Sequence, residues 1–218
     1  MKLLFTCFAF LFSGIAIAAD AAIQSTVDYK TETVTVSSSM SKVEENIRNA
    51  AVRVVTDRGH GSGGLIKYKD IQLVITASHV ANGLLGQAYL VKTQYEDRAG
   101  ILVYADPLHD IAVLYLPTKF VNSKGIKWNP AKILSTVGTK MTYSGYPSWH
   151  SLMTFRGYVA GYEVDPNAGP QILINTYGWF GCSGSLIYNS EGEAIGILWG
   201  VDIQRGTVQE NLIWVAPI

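Results

Sequence analysis

Three short stretches of the chain carry residue types that could do chemistry together. The sharpest is Gly178-Trp179-Phe180-Gly181-Cys182-Ser183-Gly184-Ser185. A serine hydroxyl is a weak nucleophile until a neighbouring base takes its proton. The carbonyl it attacks needs donors placed for the charge that develops on oxygen, and backbone N–H groups often serve. Glycines around Ser183 suit both needs, since they permit a tight loop and leave room for a substrate. The second stretch is Val74-Ile75-Thr76-Ala77-Ser78-His79-Val80, an apolar run ending in a histidine ahead of an Asn82-Gly83 turn. Histidine is the usual general base near neutral pH, because its ordinary pKa is about 6.5. The third is His109-Asp110-Ile111-Ala112-Val113-Leu114-Tyr115-Leu116, where an aspartate opens an apolar strand. A carboxylate so placed can orient a histidine and stabilise its charged form. Neighbours along a strand point to opposite faces, so His109 is not expected to share the role of Asp110. Each stretch alone is commonplace, because turn aspartates and small-residue loops abound. Together, in the order His79, Asp110, Ser183, they are a much stronger signal.

The elements that must hold these residues read as β-structure. Short β-rich runs recur at Ala51–Thr56, Gly63–Tyr68, Gln72–Thr76, Ala88–Thr93, Ile101–Tyr104 and Ile111–Leu116. After a break at Pro117–Pro130 they resume at Lys140–Ser144, Thr154–Tyr162, Gln171–Asn175, Ser185–Tyr188, Ala194–Trp199 and Leu212–Ala216. Many short strands at this spacing predict an all-β sandwich or barrel. Two sets of six predict two six-stranded β-barrels, at about residues 49–118 and 138–218. Ser41 with Glu44 fits a capping box, and a short helix to about Asn49 should follow. Residues 19–48 otherwise read as a linker or a removable pro-segment, with a strand-like alternation over Thr31–Val36.

The 218 residues are 48% hydrophobic and 16% charged, a globular composition that excludes a disordered chain. Lys+Arg and Asp+Glu both number 17, so no broad basic footprint for nucleic acid exists. The cysteines are Cys7 and Cys182, and no Cys/His cluster has zinc-like spacing. The chain starts Met1-Lys2, continues apolar from Leu3 to Ile17, and reaches Ala16-Ile17-Ala18-Ala19. That is the pattern of a secretory signal peptide over residues 1–18, cleaved after Ala18 or Ala19. The apolar run is shorter than the roughly 20 residues a bilayer span needs. The expectation is a secreted or periplasmic protein with no stable membrane anchor after processing, and with Cys182 as its one cysteine. His60 and His150 read as surface loop residues. Trp128, Trp149, Trp179, Trp199 and Trp214 read as core or pocket walls, because no basic stripe accompanies them.

On these motifs the chain resembles the chymotrypsin-like (trypsin-fold) serine peptidases, closest to their glutamyl-endopeptidase and HtrA-type branches. Thr76-Ala77-Ser78-His79, His109-Asp110-Ile111-Ala112 and Gly181-Cys182-Ser183-Gly184-Ser185 carry the resemblance. Gly61-Ser62-Gly63, Ser144-Gly145-Tyr146-Pro147 and the hairpin from Asn189 to Ile197 add to it. The resemblance implies Ser183 as nucleophile, His79 as general base and then acid, and Asp110 as the group that fixes the imidazole tautomer. It implies two antiparallel β-barrels with the site in the cleft between them, and an oxyanion hole from the backbone N–H groups of Gly181 and Ser183. It also implies a specificity pocket at Tyr177, Leu198, Trp199 and Gly200, without a carboxylate, suited to a small or medium apolar side chain. Neither cofactor nor metal is implied, and the expected partner is a protein or peptide substrate. Two positions depart from the family pattern. Ser185 stands where a second glycine is usual, and Cys182 occupies a variable position. Cys182 opens a rival, a viral-type cysteine peptidase on the same fold, but there the cysteine directly precedes the glycine. A second competing class is a non-catalytic binding protein on a protease fold. Such proteins usually lose a member of the triad, and this chain keeps all three.

Overall fold

Alternating side chains dictate how the strands lie. In β4 (Ala88–Lys92) Tyr89 and Val91 are buried while Ala88 and Leu90 are exposed, and β6 (Ile111–Tyr115) buries Ala112 and Leu114. One face of such a strand must find a core and the other meets water. The computed structural model describes residues 39–132 and 134–218. The expected signal peptide and its expected cleavage site, Cys7 and the alternating run at 31–36 lie outside the described residues.

Six strands close the first barrel: β1 (Ala51–Thr56), β2 (Gly59–Tyr68), β3 (Ile71–Thr76), β4, β5 (Asp97–Asp106) and β6. They pair in the order β1-β4-β5-β6-β3-β2, and β1 pairs with β2 to shut the ring. The second closed barrel has the order β10-β13-β12-β11-β8-β9. Its strands are β8 (Lys140–Gly145), β9 (Met153–Asp165), β10 (Gly169–Asn175), β11 (Leu186–Asn189), β12 (Ala194–Gln204) and β13 (Thr207–Pro217). Closure removes the open edges that an unclosed sheet would expose. The first barrel's core takes in Leu186, Tyr188, Ala194 and Ile197 from the second, so the two barrels share apolar contact.

The architecture is the double barrel read from the sequence, with differences in the strand ends. A short β7 (Ile126–Lys127) runs parallel to β2 inside the connecting segment. β2 starts at Gly59, four residues before the expected run, because ladders to β1 and β3 support a stretch whose glycines carry no strand signal. The β12–β13 hairpin extends to Gln204 and Thr207.

The expected helix forms as α1 (Lys42–Ala50), and the Ser41–Glu44 capping box is present. Residues Met40–Ile218 form one compact unit, so α1 packs with the barrels although the sequence assigned it to a preceding segment. Its Ile47 and Ala50 are buried in the first barrel's core. Its polar side reaches the second barrel. Arg48 Nη1 donates to Thr154 Oγ1 at 3.0 Å, and Arg156 makes a two-pronged pair with Glu44, through Nε to Oε1 and through Nη2 to Oε2 at 2.9 Å. Hydrogen bonding from Arg156, followed by the Ser41 backbone N–H, outweighs burial and lowers the Glu44 pKa from 4.5 to about 2.

A carboxyl whose folded pKa lies below its unfolded one stabilises the fold above the unfolded value and loses that contribution as pH falls through the folded one. The Glu44 contribution is therefore full above about pH 4.5 and disappears towards pH 2. Arg156 is 57% exposed, so solvent screens the pair. Glu44→Gln should lower the unfolding free energy modestly at pH 6, and the gap to the parent chain should shrink at pH 3. Denaturant titrations at the two pH values check it.

Candidate active site

The antiparallel ladder between β3 and β6 sets Thr76 opposite Ala112. The residues just beyond β3 and just before β6 therefore emerge at the same end of the barrel. His79 sits in the turn after β3, closed by the N–H groups of Val80 and Ala81 bonding to the Ala77 carbonyl. Asp110 ends the turn before β6 with φ +55°, a left-handed conformation that aspartate tolerates better than most residues. Its carboxylate spans the histidine. Oδ2 accepts from His79 Nδ1 at 2.6 Å and Oδ1 accepts from the His79 backbone N–H at 2.8 Å. The Asp110 carbonyl accepts from the Ser78 N–H at 3.2 Å. A carboxylate only accepts, so Nδ1 carries the proton and Nε2 is left with its lone pair. His109 is engaged elsewhere: its Nδ1 donates to Asp106 Oδ2 at 2.6 Å.

The second barrel supplies the Ser183 loop as two consecutive tight turns between β10 and β11. Cys182 N–H donates to the Trp179 carbonyl and Ser185 N–H to the Cys182 carbonyl, both at 3.0 Å. Each turn has a glycine at positive φ, Gly181 at +94° and Gly184 at +90°. A side chain at 181 would be strained there, and its Cβ would lie 2.5 Å from the Tyr146 carbonyl oxygen. Three further carbonyls of the loop are tied to other segments. The Phe180 carbonyl accepts from Ser148 N–H at 2.7 Å, the Gly181 carbonyl from Ser62 Oγ at 2.7 Å, and the Ser183 carbonyl from Ser62 N–H at 2.7 Å. The N–H groups of Gly181 and Ser183 have no protein acceptor among the described residues. Both residues line the same cavity as His79, a cleft of about 620 Å³. The Ser183 hydroxyl, half-buried, is also without a hydrogen-bond partner among the described residues. One cavity thus joins an oriented imidazole, a free hydroxyl and two free backbone donors, the parts an acyl-transfer site needs.

Cys182 is fully buried, and its sulfur lies 3.8 Å from the Tyr143 hydroxyl. Burial pushes the thiol pKa up, away from the thiolate a cysteine nucleophile requires. The four residues read as a specificity pocket do not line the 620 Å³ cleft. Leu198 is buried in the barrel, and its carbonyl accepts from Gly184 N–H at 2.7 Å. Trp199 is partly exposed and donates through Nε1 to Gln171 Oε1 at 2.9 Å. Tyr177 stacks on Phe155, and Gly200 has open space beside it. Ile213 and Val201 press against Gly178.

In the sequence Ser62 stands out only as part of Gly61-Ser62-Gly63, yet it is fully buried at the centre of the site. Besides the two bonds above, its hydroxyl accepts from Tyr146 N–H at 2.9 Å and its carbonyl accepts from Thr76 Oγ1 at 2.7 Å. Small residues around a serine signal close backbone approach, but not which carbonyls approach. His60, expected in a surface loop, lies on β2 and lines the cleft, with Nε2 at 2.9 Å from the Tyr146 carbonyl. Burial holds its pKa below the ordinary value.

A family model described as a trypsin-like peptidase domain matches residues 61–197. The pro-apoptotic serine protease NMA111 of Eremothecium gossypii is 26% identical over 160 residues, 66% of this chain. The match spans 16% of that relative's length. Among solved structures, an inactive form of a serine-to-alanine mutant of Rv3671c from M. tuberculosis superposes with a TM-score of 0.66 at 18% identity, covering 81% of this chain and 84% of that one. The active form of the Rv3671c protease gives 0.63 at 19% identity, over 81% and 79% of the two chains. At these identities the superpositions show the fold.

Ser62→Ala would leave the Gly181 carbonyl and the Tyr146 N–H unpaired. Stability should fall by about 1–3 kcal/mol. For a peptide ester, kcat should fall about 10–100-fold with KM little changed, since the groups displaced act on developing charge rather than on bound substrate. Steady-state kinetics check it; a raised KM with kcat intact would place the effect of Ser62 elsewhere.

Proposed function

The chain belongs to the trypsin-like peptidase domain family, and from that premise we propose that it is an exported serine endopeptidase working through a Ser183 acyl-enzyme. The observation that carries the reading is the Asp110 carboxylate held on His79 Nδ1 in a cleft that Ser183 and Gly181 also line.

In this reaction Ser183 Oγ attacks the scissile carbonyl carbon while His79 Nε2 takes its proton. Asp110 keeps the imidazole in the tautomer with Nε2 free and stabilises the imidazolium that forms. The N–H groups of Gly181 and Ser183 donate to the oxyanion. When the tetrahedral intermediate collapses, the C–N bond breaks and His79 returns the proton to the leaving amine. Water then enters, gives its proton to His79, and attacks the acyl-enzyme. Collapse of the second intermediate releases the acid and returns the proton to Ser183. This sequence is the handed-down mechanism of the family, placed on this chain's residues.

For the residue before the cut, the favoured side chain is small or medium and apolar. No carboxylate stands among Tyr177, Leu198, Trp199 and Gly200, the residues assigned to that pocket, which supports an uncharged side chain there. Export rests on the charged start, apolar run and Ala-x-Ala ending of residues 1–18. The processed protein is then secreted or periplasmic. The cysteine alternative is disfavoured by the burial of Cys182 and its raised pKa.

Two variants test the assignment of the nucleophile. Ser183→Ala should lower kcat/KM on a peptide substrate by roughly 10⁴–10⁶-fold. Cys182→Ala should keep measurable turnover and lose some stability, because a buried side chain is truncated. A folded Cys182→Ala without activity, alongside an active Ser183→Ala, would reverse the assignment.

A further inference from the structure

The 620 Å³ cleft extends well beyond the catalytic groups, and it does so on one side. From His79, Ser183 and Gly181 it runs to His60 and to the aromatic rings of Trp149 and Phe180. No residue of β12 lines it. β12 carries Leu198, Trp199 and Gly200, the residues assigned above to the part of the substrate before the cut. The cleft therefore lies on the leaving-group side. The chemistry demands the same sidedness: the departing amine must pass His79, which hands it a proton, so the chain behind that amine continues past His79.

Large rings stand among the polar residues of its lining. Trp149 is 78% exposed and Phe180 is 64% exposed, and both line the cleft. Clustered large rings left open to water commonly mark binding surfaces. The rings are also held in place. The His60 ring packs against Trp149 with centroids 5.0 Å apart and is pinned by the Tyr146 carbonyl at 2.9 Å. Phe180 meets Trp179 edge-on at 5.5 Å, and its own carbonyl is tied to Ser148 N–H. At the rim Asp57 and Arg58 place opposite charges side by side, so the cleft offers no net charge to select by.

We infer that the cleft walled by His60, Trp149 and Phe180 is a specificity site for a large apolar or aromatic side chain within the first two residues after the scissile bond. This rests on the peptidase reading and adds to it: the enzyme selects substrates by what leaves as well as by what is acylated. A ring set against Trp149 and Phe180 gains offset or edge contact and covers apolar surface that the free enzyme exposes. Because the leaving segment departs with the amine, this binding acts on acylation and not on the hydrolysis of the acyl-enzyme.

The test uses internally quenched peptides identical up to the cut and carrying Phe or Gly at the first or second position after it. The parent enzyme should show kcat/KM about tenfold or more higher for a Phe peptide than for its Gly counterpart. Trp149→Ala should bring that ratio close to one. Equal rates for Phe and Gly in the parent, or an undiminished ratio in Trp149→Ala, would overturn the inference. A peptide ester with no residue after the scissile bond serves as the control, and an equal loss there in Trp149→Ala would mean general damage and would also overturn it. Calorimetry on Ser183→Ala separates the two levels of the argument. Tighter binding of the Phe peptide, lost when Trp149→Ala is added, upholds the cleft even where no chain is cut. Equal binding of the Phe and Gly peptides refutes it even where chains are cut.

Discussion

The site depends on one meeting point between two independently closed barrels. The first barrel orients an imidazole by a carboxylate, and the second brings a serine on a tight loop. Neither is useful unless the loop carbonyls face away from the cleft. Ser62 imposes that orientation. Its N–H and hydroxyl hold the carbonyls of Ser183 and Gly181, each at 2.7 Å. Its hydroxyl also takes the N–H of Tyr146 and its carbonyl takes the hydroxyl of Thr76. A buried polar group left unpaired costs more than a formed bond contributes, so a residue with every polar group used tolerates few alternative arrangements. Ser62 thereby links β2, the strand leading to His79, the Ser183 loop and the start of the second barrel's first loop.

The surroundings follow from that demand for fixed geometry. Gly181 occupies a backbone region that other residues avoid, and a Cβ there would meet the Tyr146 carbonyl. The side chain beside Ser183 is the buried Cys182 thiol near the Tyr143 hydroxyl, so the loop is anchored from below by packing and not by a charge. The helix before the first barrel adds a further brace. It buries Ile47 and Ala50 in one barrel and reaches Arg156 and Thr154 of the other.

Much of this was legible in the sequence because it is local. The Ser41–Glu44 capping box, the alternation of β4 and β6, and the glycines around Ser183 declare themselves within a few residues. The order His79, Asp110, Ser183 became informative through a resemblance, since composition alone says nothing about residues so far apart. The remainder is tertiary. Gly59 to Gly63 carry little strand propensity, and only the two neighbouring ladders make them a strand. For the same reason His60 reads as a loop residue, and Ser62 stands out only as part of Gly61-Ser62-Gly63. The cleft wall at Trp149 depends on a loop folding back against β2, which no periodicity records.

The most direct measurement of the central claim is covalent labelling. Folded protein lacking residues 1–18 is exposed to a biotinylated fluorophosphonate, and the modified peptide is located by mass spectrometry. The account predicts one label per chain, on Ser183, with labelling abolished by Asp110→Ala or strongly slowed by it, because the imidazole loses its orienting carboxylate. Absence of label on a demonstrably folded chain, or a label on any residue other than Ser183, would contradict it.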